Sequence, residues 1–132
     1  MTRSEIREQA FILVFESLFR ENEIDEIIEL AKETEEFEIN SDVIGLFKGT
    51  VENLGGATET IAKYSEKRQV GRIPKVNLAV LALAIYEIEH TDIPINAAIS
   101  EAVNLSKKYT YENDVSFVNG VLGAYARDKE NV

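Results

Sequence analysis

The sequence contains no cysteine and no tryptophan, one histidine, one methionine, two prolines and seven glycines. Without cysteine there is no disulfide framework, thiolate nucleophile, iron–sulfur cluster or cysteine-ligated zinc. Long hydrophobic runs are also missing. The longest, Leu78 to Tyr86, is about half of the ~20 residues a membrane span needs. Before its first apolar run the N-terminus carries Arg3, Glu5, Arg7 and Glu8, which is no signal peptide, so a cytoplasmic protein with no membrane association is expected. The phosphate-binding and dinucleotide-binding glycine patterns, the paired-histidine zinc motif and the serine nucleophile elbow are all absent. No enzyme, catalytic residue, cofactor or metal is expected from this inventory.

What remains is 132 residues, 45% apolar and 29% charged, the composition of one folded domain. A chain of this size buries roughly two-thirds of its unfolded surface. Its 24 acidic residues outnumber its 14 basic ones, for a net charge of −10. The imbalance is local: residues 21–66 hold 13 acids and only Lys32, Lys48 and Lys63 as bases, whereas residues 67–82 hold Lys67, Arg68, Arg72 and Lys75 and no acid. Such a chain is repelled by phosphates at long range, so any nucleic-acid contact needs a local basic patch.

Apolar residues recur at helical spacing and nowhere alternate long enough for a half-buried strand, which predicts an all-α chain of about six or seven helices. Ser4 is placed to cap a first helix with Ile6, Ala10, Leu13, Val14, Ser17 and Leu18 on one stripe. Phe11, Phe15 and Phe19 form a second stripe, so this helix should be enclosed by others or covered by a partner, a second copy of the chain included. Ile24, Ile27, Ile28 and Ala31 mark a second helix with an acidic outer face. A third is expected from about Val43 to Ile61, with a kink or a close helix crossing at Gly55–Gly56. A basic connector over 67–75 ends in Pro74, and the almost wholly apolar helix Val76 to Ile88 belongs at the centre. Pro94 opens the next helix, residues 107–113 read as a loop, and Asp114 as the cap of a final helix. The Asn119-Gly120 dipeptide is a hairpin signal in other settings, but the spacing around it is helical.

The features that bear on function are surfaces. His90 falls at a predicted helix end and reads as a solvated residue. Glu33, Glu35, Glu36 and Glu38 lack the ligand spacing of a calcium loop and read as a solvated face. Arg3 and Arg7 lie four residues apart near the free end of the first helix. Lys107, Lys108, Tyr109 and Tyr111 combine cations with aromatic faces, the pairing that single-stranded RNA favours. Phe117, one residue off the Val115/Val118 stripe, is a candidate stacking platform beside those lysines.

Four segments carry a family resemblance: Ala84-Ile85-Tyr86-Glu87, Asp92-Ile93-Pro94-Ile95, Ile99-Ser100-Glu101-Ala102-Val103 and Phe117-Val118-Asn119-Gly120-Val121-Leu122. Their order and spacing resemble the NusB-type transcription antitermination factors, strongly over about 70–126. Arg7-Glu8-x-Ala10 and Phe15 fit the same family's opening helix, while 21–66 match in length and helical pattern. The resemblance implies an all-α fold of two packed helical bundles in a single domain over 1–132, divided at about 66/67. It implies a non-enzymatic factor that binds the single-stranded boxA element of nascent ribosomal RNA. Its partners would be the small-subunit ribosomal protein that serves as NusE and the RNA polymerase antitermination complex. Arg3, Arg7, Phe15, Lys107, Lys108, Asn113 and Phe117 would form the RNA surface, and the helix around Asn77 and Glu87 would face the ribosomal protein. Ser4 and Glu5 stand where the family usually has arginines, and Thr110 stands where it usually has glycine. A protein-interaction module that keeps the fold with little RNA affinity is the alternative these departures leave open.

Overall fold

The computed structural model describes residues 1–65 and 69–130. Seven α-helices are present among them: α1 (Arg3–Ser17), α2 (Ile24–Glu33), α3 (Ser41–Glu52), α4 (Leu54–Tyr64), α5 (Lys75–His90), α6 (Ile95–Tyr109) and α7 (Glu112–Glu130). A single turn of 3-10 helix, Val70–Arg72, precedes α5. Lys67 and Arg68 of the basic connector, and the 66/67 division between bundles, lie outside the described residues.

The all-α architecture matches the expectation, and α5 is its axis. Residues Ala79 to Ile85 are all buried, because this helix is apolar around its whole circumference and must be enclosed on every side. The enclosure comes from α1, α3, α4, α6 and α7. Phe11, Leu13, Ile27, Phe47, Ile61, Leu81, Leu83, Ile85 and Leu122 supply the largest fully buried side chains, all in one core. The two stripes on α1 divide as their surroundings dictate. Ala10, Leu13, Val14 and Ser17 are buried; Phe11 is buried, Phe15 half-buried and Phe19 61% exposed.

Several local details depart from the expectations. Thr2, not Ser4, caps α1: the Glu5 amide donates to the Thr2 hydroxyl at 3.1 Å, and the Thr2 amide donates back to the Glu5 carboxylate at 3.4 Å. This reciprocal pair satisfies two otherwise orphaned amides, and it frees the Ser4 hydroxyl to donate to Glu101 on α6. The third predicted helix is two helices, broken at Asn53, where the Asn53 side chain donates to the Gly49 carbonyl at 2.7 Å. Gly55 and Gly56 sit in the first turn of α4, and a Cβ at either would meet open space. The close crossing is one helix earlier, at Gly49, where a Cβ would fall 2.3 Å from the Tyr86 ring.

The predicted loop over 107–113 is mostly helix. Helix α6 continues through Tyr109 and α7 begins at Glu112, so the link is only Thr110 and Tyr111. Thr110 has φ −135° and ψ −172°, an extended conformation open to any residue, so the turn has no need of glycine. Asp114 caps from inside the helix, accepting from the Tyr111 amide at 3.3 Å.

Candidate nucleic-acid interface

Side chains from the N-terminal half of α1 reach Glu87 on α5 and Glu101, Lys108 and Tyr109 in the second half of α6, and this seam gathers several of the predicted site residues. Arg7 points into it, only 7% exposed. Its Nε donates to Glu87 Oε1 at 2.6 Å and its Nη2 to Glu87 Oε2 at 2.7 Å, a two-pronged pairing with α5. Its Nη1 lies 3.4 Å from Glu101 Oε2 on α6. The Glu87 hydrogen bonds hold the guanidinium above the usual arginine range, against the opposing effect of burial. Arg7, expected as an RNA-facing cation, is thus paired inside the protein with Glu87 and Glu101.

The two residues assigned to a protein-facing surface are inside as well. Glu87 is 4% exposed and Asn77 0%, and the Asn77 amide nitrogen donates to Asp114 Oδ1 on α7 at 2.9 Å. Glu87 anchors Arg7, and Asn77 ties the start of α5 to the start of α7. Towards its C-terminal end α5 presents half-buried Tyr86 and Ile88 and exposed Glu89 and His90. His90 ends the helix as expected and stacks on Tyr86, with ring centroids 5.1 Å apart.

Arg3 is exposed and has no ion-pair partner among the described residues. With Ile6, Asp42, Leu46, Asp92 and Ile93 it borders a cleft of about 350 Å³ whose lining includes Arg7 and Glu87. Four residues beyond Ser4, Glu8 meets the end of α6: its Oε2 accepts from Lys108 Nζ at 2.5 Å and from the Tyr109 hydroxyl. The Lys108 bond, then that of Tyr109, lowers the Glu8 carboxyl below the usual glutamate range. Burial and then the Glu8 contact push the Tyr109 hydroxyl up to about 12. Lys108 also lies over the Tyr109 ring, 5.6 Å from its centroid, and Lys107 beside it is exposed.

The aromatic groups form a connected row. Tyr109 packs on Phe11 at 5.1 Å, Phe11 on Phe15 at 6.5 Å and Phe15 edge-on to Phe19 at 5.2 Å, with Lys75 Nζ 5.5 Å from the Phe19 centroid. Phe15 is thus half-buried inside a ring stack. Asn113 is exposed in the first turn of α7, and Phe117, four residues on, is half-buried on the same helix face. The structure brings Lys108, Tyr109 and Phe15 onto one seam with α1, and sets Lys107 and Asn113 on either side of the Thr110–Tyr111 link. Glu8, in sequence one more acid of the first helix, takes a partner 100 residues away that no local spacing announces.

The NusB family model matches residues 4–127, nearly the whole chain. The chain belongs to the NusB family. Among relatives, the transcription antitermination protein NusB of Thermoanaerobacter sp. (strain X514) is 35% identical over 130 residues, covering 98% of this chain and 93% of the relative. Among solved structures, T. maritima NusB superposes with a TM-score of 0.83 at 33% identity, covering 96% of this chain and 92% of that one. A structure of the antitermination factors NusB and NusE in complex with double-stranded RNA contains a chain that matches with a TM-score of 0.70. It is 27% identical, over 92% of this chain and 93% of that one.

Proposed function

We propose that the chain is a non-enzymatic transcription antitermination factor that binds the boxA element of nascent ribosomal RNA together with the ribosomal protein NusE. The observation that carries this reading is whole-length membership of the NusB family, whose relatives bear the name transcription antitermination protein. The NusB–NusE–RNA complex among the matching structures supports RNA and NusE as the two partners. The RNA surface is assigned to Arg3, Lys107, Lys108 and Asn113, with Phe15, Tyr109 and Phe117 as the apolar ground beneath them. Arg7 enters as the residue that fixes α1 against α5 and α6, and so aims Arg3. Together the partners join RNA polymerase in the cytoplasm and carry it through terminators. Asn77 and Glu87 support the NusE-facing side from within, by holding α5 in place.

The test is fluorescence anisotropy with a labelled single-stranded boxA-like RNA at two salt concentrations, with and without purified NusE. Salt-sensitive binding that tightens with NusE is the expected result, since lysine–phosphate contacts on single strands each steepen the salt slope by about 0.7. No binding in either condition by the folded protein would overturn it. A second reading, an interaction module with little RNA affinity, is favoured by one observation: Arg7 and Lys108 both already hold carboxylates. Recovery of NusE on the immobilised protein without any RNA dependence would favour that reading. Pairing of two copies through α1 would cover Phe19, and light scattering across a concentration series tests it.

A further inference from the structure

The end of α6 presents a lysine ammonium and a tyrosine hydroxyl to a single oxygen atom. That oxygen is Glu8 Oε2, bound by Lys108 Nζ at 2.5 Å and by the Tyr109 hydroxyl. A carboxylate oxygen and a non-bridging phosphodiester oxygen make the same demands on such a site: both are anionic, accept only, and take short charge-assisted bonds. Tyr109 is held in place by its packing on Phe11 and by Lys108 above its ring. The lysine side chain is 61% exposed while that of Glu8 is 26% exposed. An external anion therefore reaches the ammonium from solvent, whereas the carboxylate holds it from below.

We infer that Glu8 is a resident anion that competes with RNA phosphate for Lys108 and Tyr109, and so sets the threshold for nucleic-acid binding. The inference rests on the RNA reading above and deepens it. RNA binding at this point is an exchange of one anion for another at the end of α6. The gain is smaller than a free lysine would give, because the Glu8 contact is lost as the phosphate contact forms. In a chain of net charge −10 with a thinly populated basic surface, one such exchange separates weak from useful affinity. A partner that draws α1 away from α6, or places its own donor beside Glu8, would release Lys108 and tighten RNA binding.

The experiment is the same anisotropy titration with four proteins: wild type, Glu8→Gln, Lys108→Ala and the double variant. Glutamine keeps the length and the acceptor for Tyr109 while removing the charge. Glu8→Gln is expected to bind RNA about fivefold more tightly, the size of a partly exposed ion pair. In the Lys108→Ala background the same substitution should gain less than about twofold, because there is no ammonium left to release. If wild type binds and Glu8→Gln binds no more tightly, the proposal fails and the RNA reading stands. A gain that persists without Lys108 would be long-range charge removal and overturns the proposal. If neither wild type nor Glu8→Gln binds while circular dichroism shows both folded, the proposal and the RNA reading fall together.

Discussion

Arg7 and Glu8 are neighbours on α1, and each forms an ion pair with a helix of the second bundle, yet the two pairs differ in kind. Arg7 is enclosed between Glu87 and Glu101, with two bonds under 2.8 Å to one carboxylate. Glu8 meets Lys108 and Tyr109 at the rim, where the lysine remains in water. A buried pair gains strongly from its partner but has lost its hydration, so neither member is available to anything else. An exposed pair is worth little and is easily exchanged. One step along the helix, about 100° of rotation, therefore separates a structural charge from a negotiable one. Residue type alone would rank the two the other way round, because arginine is the commoner phosphate ligand.

The sharpest way to break the comparison is to remove the buried partner. Arg7→Ala is expected to cost about 3–5 kcal/mol in urea unfolding, because it leaves Glu87 buried and unpaired. Replacing Arg7 and Glu87 together with apolar residues of similar volume should recover most of that loss; if the double variant is as unstable as the single one, the packing rather than the orphaned charge is responsible. The rim pair gives the smaller effect. Glu8→Gln is expected to lower stability by under ~1 kcal/mol, and 1 M salt should erase that difference while leaving the Arg7→Ala loss largely intact.

The smallest effect is a pH dependence confined to the rim. The folded protein holds Glu8 below the usual glutamate range, chiefly through Lys108 and then Tyr109. Its stabilising contribution is therefore present at neutral pH, above the unfolded value, and is lost as pH falls through the folded one. Tyr109 behaves in the opposite sense: burial and the Glu8 contact push its hydroxyl up to about 12, so its contribution is complete below the ordinary tyrosine value and is lost as pH rises toward 12. The gap between the melting curves of wild type and Glu8→Gln should be full at pH 7 and should narrow as the pH falls below the ordinary glutamate value; parallel curves across that range would exclude Glu8 as their source.

The periodicity of apolar residues carried the fold well. Helix α2 and the central α5 follow directly from residues whose spacing and composition admit one solution, since a helix apolar all round has no stable place except the middle. Boundaries were harder. Thr2 is favoured over Ser4 as the cap by Glu5 three residues on, which completes the reciprocal pair, and the Ser4 hydroxyl turns to Glu101 instead. The glycine pair at 55–56 predicts a kink or a close crossing, but the close approach is at Gly49, because it depends on Tyr86 across the helix pair and not on local composition. The polarity of residues 107–113 predicts a loop, although lysines in the last turn of α6 are what the helix dipole favours. The site was legible as a set of residue types and illegible as a set of roles: Arg7, Asn77 and Glu87 are given their buried duties by partners 37 to 80 residues away.

The two-residue joint between α6 and α7 has a consequence for how a ligand would meet this surface. Thr110 is fastened to the last turn of α6, its amide and its hydroxyl both donating to the Ser106 carbonyl at 2.8 and 2.6 Å. Tyr111 is fastened to the first turn of α7 through Asp114. With both halves of the joint tied down, the rotational phase of Lys107 and Lys108 relative to Asn113 is set before anything arrives. Such a pre-set spacing lowers the ordering cost of association. Lengthening α6 by one residue would swing its cations by about 100° around the axis, so in this protein the joint works as a spacer of fixed length rather than as a hinge.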